Sequence, residues 1–526
     1  GEEEAAEVWH DRNEYLAYTV AKVTCKQEVL RLSRDSNVNI KDVVWTYGPL
    51  PCFCLCVNYI MGVGTLGMPY AFYKAGIAIS NAAVAFISLI SYITVIWVAE
   101  VCDRAERLAS LPCECGSRYH WLCNQAHSPV KRTELQRLLD ETDDEDTSAG
   151  VGVIGNAPPP KCFEVTELCY KFLGMKGKVA FQVSLVGLMY AGLVGYSFVF
   201  VHSLDTQFPG WQWGGMGRSG WALVFSAVAV PLACCDLSEQ LGVQMCFSAM
   251  QLVSLSLMLF GSIAAIFVDD NDTERSHKGT VAHVSELDLQ YFGLLFGTVI
   301  FSQLFQHSVP GLLRPLRPRA AARRVFACAL LTTSSVYCFL GTSAALYFGS
   351  TVQTALNTNW THFTWGYAHT QWWGYVLNYI IVLFPVLNTL SIFPLVVVTL
   401  GNNLAVSFPR PTEAKIPLPP AGRAWTTMWR LIAAVPPIVA ALPFRSLAST
   451  LQLAGFFGLY VAYTTPSLLQ IKSLEVVERQ LGNNGTTFSM GVLSSPILAW
   501  IIVLFSVFGA AAIVYQIVRI SQQGAW

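Results

Sequence analysis

The sequence predicts an all-α polytopic membrane protein of eleven spans. Five helices are followed by five more in inverted repeat, helices one and six are broken, and an eleventh is added. Three observations carry this. Hydrophobic residues make up 53% of the 526-residue chain and charged residues only 13%, against about 25% charged in ordinary soluble domains. The charges come in blocks, and none occurs from Val325 to Pro409, a stretch that cannot make a water-facing surface. Two apolar runs, five spans apart, are each interrupted in mid-membrane by Gly, Pro and polar residues. The net charge of -1 provides no basic surface for nucleic acid, so the bilayer is the expected partner and nucleic acid is not.

A span needs roughly 20 predominantly apolar residues. Such windows fall near 46–73, 77–102, 179–203, 219–235, 240–268, 288–312, 325–349, 372–400, 425–444, 447–470 and 491–518. The opening "GEEEAAEVWHDRNEY" is acidic and polar, unlike a cleavable leader, so the first span is expected to act as its own insertion signal. Placing residues 1–45 in the cytosol as an N-terminal tail puts most of the 33 Lys and Arg on that side, as the positive-inside bias requires. Spans one to five then occupy 46–268, with a long cytosolic connection at about 104–178. An outer loop covers 269–287, spans six to ten 288–470, a cytosolic loop 471–490, and span eleven with a luminal or extracellular C-terminus 491–526. Asn271 and Asn359 open N-x-S/T sequons in outer loops, while the sequon of Asn484 falls inside. No cysteine falls in an outer loop, so no extracytosolic disulfide is expected.

Three features of the 2–3 connection bear on partners. Cys113, Cys115, His120, Cys123 and His127 offer thiolates and imidazoles suited to zinc. Their spacing matches no common finger, and unligated or lipidated cysteines near the membrane are the simpler reading, so no metal or cofactor is expected. The string "ELQRLL", Glu134–Leu139, resembles an acidic dileucine signal read by sorting adaptors. It tilts the expected membrane toward endosome or lysosome over plasma membrane; the alternative is an ordinary amphipathic helix. In "KCFEVTELCYKFLGMKGK", Phe163, Leu168, Phe172 and Leu173 alternate with basic residues, predicting a helix on the inner membrane surface or one simply leading into span three.

The first break lies in "NYIMGVGTLGMPYAFYKAG", Asn58–Gly76, where Gly62 and Gly64 precede Pro69. In lipid every backbone group needs a partner, so a break is tolerated only where it is buried in protein or lines a cavity. Freed N–H groups near Thr65 and Leu66 would make a positive helix end suited to a carboxylate. Carbonyls before the break would suit a cation or an ammonium group. Small residues also let helices approach closely. What favours a site is the second break, "FSQLFQHSVPGLLRPL", Phe301–Leu316, because matching breaks in two halves are the mark of an inverted-repeat transporter with its site between them. The candidate substrate-binding residues are Met61, Gly62, Val63, Gly64, Thr65 and Leu66 of span one, with Ser302, Gln303, Gln306 and His307 of span six. Asn58 with Asn388, Thr389 and Ser391 of span eight is the candidate ion site, since oxygen ligands suit sodium; hydrogen bonding across helices accounts for the same residues. His307 changes charge near physiological pH, which makes it a candidate proton carrier or else a buried neutral histidine. No G-x-x-x-x-G-K-[ST] string occurs, so accumulation would draw on a sodium or proton gradient.

Gly62 to Gly76 resembles the G-x-G-x-L-x-x-P-x-A-F-x-x-A-G pattern of the amino acid/auxin permease family, the eleven-span branch of the amino acid, polyamine and organocation transporters. "FEVTE" before span three, "QHSVPGLLRPL" in span six and "LFPVLNTLSIFPLVVVTLGNNL" in span eight are similar to one group within it. The resemblance covers Pro51 to Tyr460 and implies a LeuT-like fold. It also implies alternating-access transport of amino acids or similar small zwitterions, coupled to sodium or protons. Sodium-coupled relatives have an Asn in span one, matched by Asn58, and a hydroxyl in span eight, nearest Thr389. Proton-coupled relatives often have a His in span one, which this chain lacks. The alternative on the same scaffold is a non-transporting amino acid sensor. A channel finds no charged ring or filter sequence, and an enzyme finds no carboxylate pair or metal motif among the spans.

Overall fold

In a computed structural model the described residues are 47–109, 163–209, 217–234, 241–268, 288–407 and 423–522, apart from 366, 368 and 445. The Cys113–His127 cluster, the Glu134–Leu139 string and the Asn271 sequon lie outside them. The first span is two helices, α1 (Pro49–Ile60) and α2 (Gly64–Ala75), bent by 57°. α3 (Ile77–Ala109), α4 (Val165–Gln207), α5 (Gly217–Cys234) and α6 (Leu241–Val268) complete the first half. The sixth span is broken into α7 (Phe292–Ser302) and α8 (Val309–Leu313), with a 3-10 turn, Gln306–Ser308, between them. α9 (Ala322–Phe348), α10 (Trp372–Ser407) and α11 (Arg423–Ala441) follow. The tenth span runs from α12 (Leu447–Leu459) through a π turn, Tyr460–Thr464, into the start of α13 (Thr465–Leu481), and α14 (Pro496–Gln522) is the eleventh.

Among the described residues, seven helices are long and apolar enough to cross a membrane, and the bent α1–α2 pair makes eight. The other three spans carry polar interruptions or are described only in part. α11 contains Arg430, which turns toward the carbonyl end of α5 at Ala233 (3.5 Å), where a cation meets the negative pole of a helix.

The break in span one has a local cause and a distant one. Pro49 opens α1, where its missing N–H costs nothing, and Met61 leaves helical geometry at φ -80°, ψ 77°. Neither Gly62 nor Gly64 adopts a positive φ, so backbone freedom is not what these glycines supply. Gly64 is needed for space: a Cβ there would run into the Ser302 side chain of α7. The two readings of the glycines, break and close packing, therefore meet at one residue.

The segment before span three runs directly into it as the start of α4, the second of the two readings its sequence allows. Glu164 and Glu167 form a capping box at the start of α4, and Gly174, at φ 72° and ψ -170°, kinks the helix after its first turns. Its apolar face is covered by protein. Phe163, Leu168, Cys169 and Phe172 are buried in one cluster with Ala105 of α3 and Leu469 of α13, and Lys171 Nζ donates to the Ala105 carbonyl at 3.1 Å.

Candidate functional site

The sequence places the two breaks far apart, and the fold brings them into contact through Gly64 and Ser302. The unwound turn then decides which amides are free. Thr65 N–H donates to the Gly62 carbonyl and Leu66 N–H to the Val63 carbonyl, each at 3.1 Å. The expectation that these two amides face a ligand is corrected here, because a 3-10 turn closes over the start of α2 and consumes them. The unbonded amides are those of Val63 and Gly64.

Beside this turn lies a cavity of about 20 Å³, close to one water or one ion in size. It is lined by Gly62, Val63, Thr65 and Leu66, by Tyr196 and Val199 of α4, by Ser254, Leu255 and Met258 of α6, and by Pro385, Asn388 and Thr389 of α10. Four elements that are remote in sequence thus face each other across the break. Thr65 Oγ1 is buried, with the Tyr337 hydroxyl as its polar neighbour, while Thr389 Oγ1 donates back to the Val386 carbonyl at 2.7 Å and keeps lone pairs to offer. A larger cavity, about 410 Å³, opens between the ends of α4 and α9 and residues 358–364. It contains no residue of either break.

The other candidates from the sequence lie elsewhere. Met61 is buried at the end of α1, and Ser302 donates to the Thr298 carbonyl at 2.8 Å while packing on Gly64. Gln303 Nε2 donates to Ser88 and Ser334, both at 3.0 Å, and Gln306 Nε2 donates to Thr94 at 3.3 Å. These amides are committed to α3 and α9, away from the cavity lining. His307 sits in the 3-10 turn that packs on α3 and the π turn, with its Nδ1 buried and unpartnered. Asn58 is exposed on α1, and Ser391 is buried on α10 outside the lining. The cavity therefore joins Asn388 and Thr389 to the span-one turn without Asn58 or Ser391.

Sequence reasoning missed Tyr196 and Met258, which carry no local signal because their relevance depends on which face of α4 and α6 meets the break. Tyr337 of α9 was missed for the same reason, although it reaches both breaks.

Residues 48–519 match the family described as transmembrane amino acid transporter protein. The chain belongs to this family. Similar members include the transmembrane protein 104 homolog of Drosophila melanogaster, 22% identical over 521 residues that cover 89% of this chain and 96% of that protein. Transmembrane protein 104 of Homo sapiens is 22% identical over 461 residues, 78% of this chain and 84% of its own. Among solved structures, the crystal structure of MhsT in complex with L-phenylalanine matches 88% of this chain and 98% of that chain, with a TM-score of 0.52 at 11% identity. The likeness shows the fold: a LeuT-like five-plus-five inverted repeat with an added eleventh helix. As an amino acid transporter family member with this fold, the protein is a multi-pass membrane protein built around breaks in its first and sixth spans.

Proposed function

We propose that the protein is a secondary active transporter of amino acids or similar small zwitterions, driven by a sodium or proton gradient through alternating access. One observation carries the reading. The unwound turn of span one leaves the Val63 and Gly64 amides unbonded at the positive end of α2, inside the protein and beside a small cavity, an arrangement suited to a carboxylate. The L-phenylalanine bound to MhsT supports an amino acid as the ligand class. The cavity is too small for an amino acid as it stands, so binding requires the opening movement that alternating access supplies.

Asn388, Thr389 and the buried Thr65 hydroxyl bring oxygen donors to a space of ionic size, which favours a sodium ion there. Asn58 and Ser391, assigned to that site from sequence, lie outside its lining. His307 is the carrier to test for proton coupling. The favoured setting is an endosomal or lysosomal membrane, with the N-terminus cytosolic and an adaptor reading Glu134–Leu139.

Purified protein in proteoliposomes tests this directly. Saturable uptake of a radiolabelled amino acid that collapses with the sodium or proton gradient is the expected result. Substrate binding, seen as a rise in melting temperature, without flux under either gradient overturns transport in favour of a sensor. Proton coupling that survives His307→Gln removes that residue from the mechanism.

A further inference from the structure

Tyr337 is fully buried in α9, and its hydroxyl lies 3.0 Å from the carbonyl of Ile60 and 3.0 Å from the carbonyl of Ser302. Ile60 is the last residue of α1 and Ser302 the last of α7. One phenol thus contacts the carbonyl end of the first half-helix in both repeats. Helix ends leave such carbonyls without intrahelical partners: the Ile60 carbonyl also accepts from the Gly62 amide at 3.0 Å, whereas Tyr337 is the partner of the buried Ser302 carbonyl, and burying such a group unpaired is costly. A single O–H faces both acceptors with only one proton to share between them, and the Thr65 hydroxyl at the start of α2 lies beside the phenol oxygen. A turn earlier on α9, Ser334 accepts from Gln303 at 3.0 Å, so one face of α9 grips span six at two successive residues.

We propose that Tyr337 is the strut that couples the two helix breaks: its hydroxyl holds the end of α1 against the end of α7 and so sets the spacing of the substrate site. It is a positioning residue, since it lies outside the cavity lining. Its effect on flux rests on the transporter reading, whereas the strut itself is readable without substrate.

Tyr337→Phe keeps the ring and removes only the hydroxyl. Thr333→Val is the control, because the Thr333 hydroxyl is buried on the same helix but donates only to Ala329 and Leu330 of that helix. Full-length protein in nanodiscs is compared by hydrogen exchange and mass spectrometry over segments 57–66 and 299–306. Exchange about tenfold faster at both breaks is expected in Tyr337→Phe, as loss of a buried hydrogen bond predicts, with Thr333→Val matching the wild type. Tyr337→His, which retains a ring N–H donor, should stay closer to the wild type. Wild-type exchange at both breaks, acceleration at one break only, or Phe and His variants behaving alike overturns the coupling. A Tyr337→Phe protein that fails to fold where Tyr337→His folds supports it. In proteoliposomes Tyr337→Phe should raise KM about tenfold, with a smaller change in maximal rate. Wild-type protein that takes up nothing would count against the transporter reading alone, since the exchange result stands without substrate.

Discussion

The C-terminal end of α3 and the junction of the helix breaks are both buried and polar, yet they follow opposite rules. At the end of α3, Glu100 is 0% and Arg104 1% exposed, and the charges are surrounded by bonds. Arg104 donates to Glu100 (2.6 Å), to Gln470 (2.8 Å) and Ser473 (3.0 Å) of α13, and to the Asn484 carbonyl (3.1 Å). Gln470 returns a bond to Glu100 at 2.9 Å, Ser494 adds its hydroxyl, and Trp97 Nε1 donates to the Leu493 carbonyl at 2.9 Å. The result fastens α3 to α13 and to the connection that leads into α14. At the breaks, by contrast, Gln303 Oε1 and His307 Nδ1 have no partner, and two amides are unbonded. A saturated cluster cannot rearrange without stranding a charge, so it is frame. An unsaturated one has positions left for a ligand and contacts that can be exchanged.

The comparison breaks most sharply at Arg104. Arg104→Ala leaves Glu100 buried without its counter-charge and should destabilise the protein by about 3–5 kcal/mol, read as a fall in thermal unfolding midpoint. Replacing the pair together, Glu100→Leu with Arg104→Met, should recover most of that loss. Equal stability of Arg104→Ala and the wild type would remove the distinction between frame and junction.

Gly64→Ala comes next. Its Cβ meets the Ser302 side chain, so overpacking of about 1–3 kcal/mol should accompany loss of uptake, and Ser302→Gly in the same chain should restore both. No rescue would mean that Gly64 acts through its backbone. Thr389→Val removes one oxygen donor from the cavity and should weaken sodium activation of uptake about tenfold, roughly 1.4 kcal/mol. An unchanged sodium requirement would move the ion elsewhere.

Gln303→Leu should cost about 1 kcal/mol in stability by releasing Ser88 and Ser334. A loss of substrate affinity at unchanged melting temperature would instead return Gln303 to the substrate site. The smallest effect is expected at Glu475, where the Lys472 hydrogen bond and charge, and then Arg479, hold the carboxyl below its ordinary value of 4.5. A lowered folded value means stability that is present above the ordinary value and lost as pH falls through the lowered one. Because the pair is exposed, Glu475→Gln should barely change the acid dependence of unfolding. A large change would make this surface pair part of the frame.

How far the site could be read from the chain varies residue by residue. Gly64 and Pro69 mark a break by their own chemistry, and "QHSVPG" marks the second. The run Gln303 to His307 gave the position of the break but not its facing: with three residues per turn, successive side chains of a 3-10 turn point about 120° apart. Gln306 consequently reaches Thr94 of α3, although it lies within a few residues of Ser302 at the junction. Arg104 likewise reads as the edge of a cytosolic connection until α13 and the turn at Ser494 close around it.

By itself, then, the sequence determined the solvent and the breaks. Long charge-free windows require a bilayer, and glycine, proline and polar residues inside them interrupt a helix whatever surrounds it, because both effects act over a few neighbouring residues. Only the tertiary structure decided that Val63 and Gly64, rather than Thr65 and Leu66, hold the free amides. It likewise joined Thr389 to the cavity without Asn58, and set Tyr337 across both breaks. The first follows from the 3-10 hydrogen bonding at the break, and the other two depend on how each helix is rotated against partners remote in the chain, a rotation fixed by packing and bond geometry that no local pattern contains.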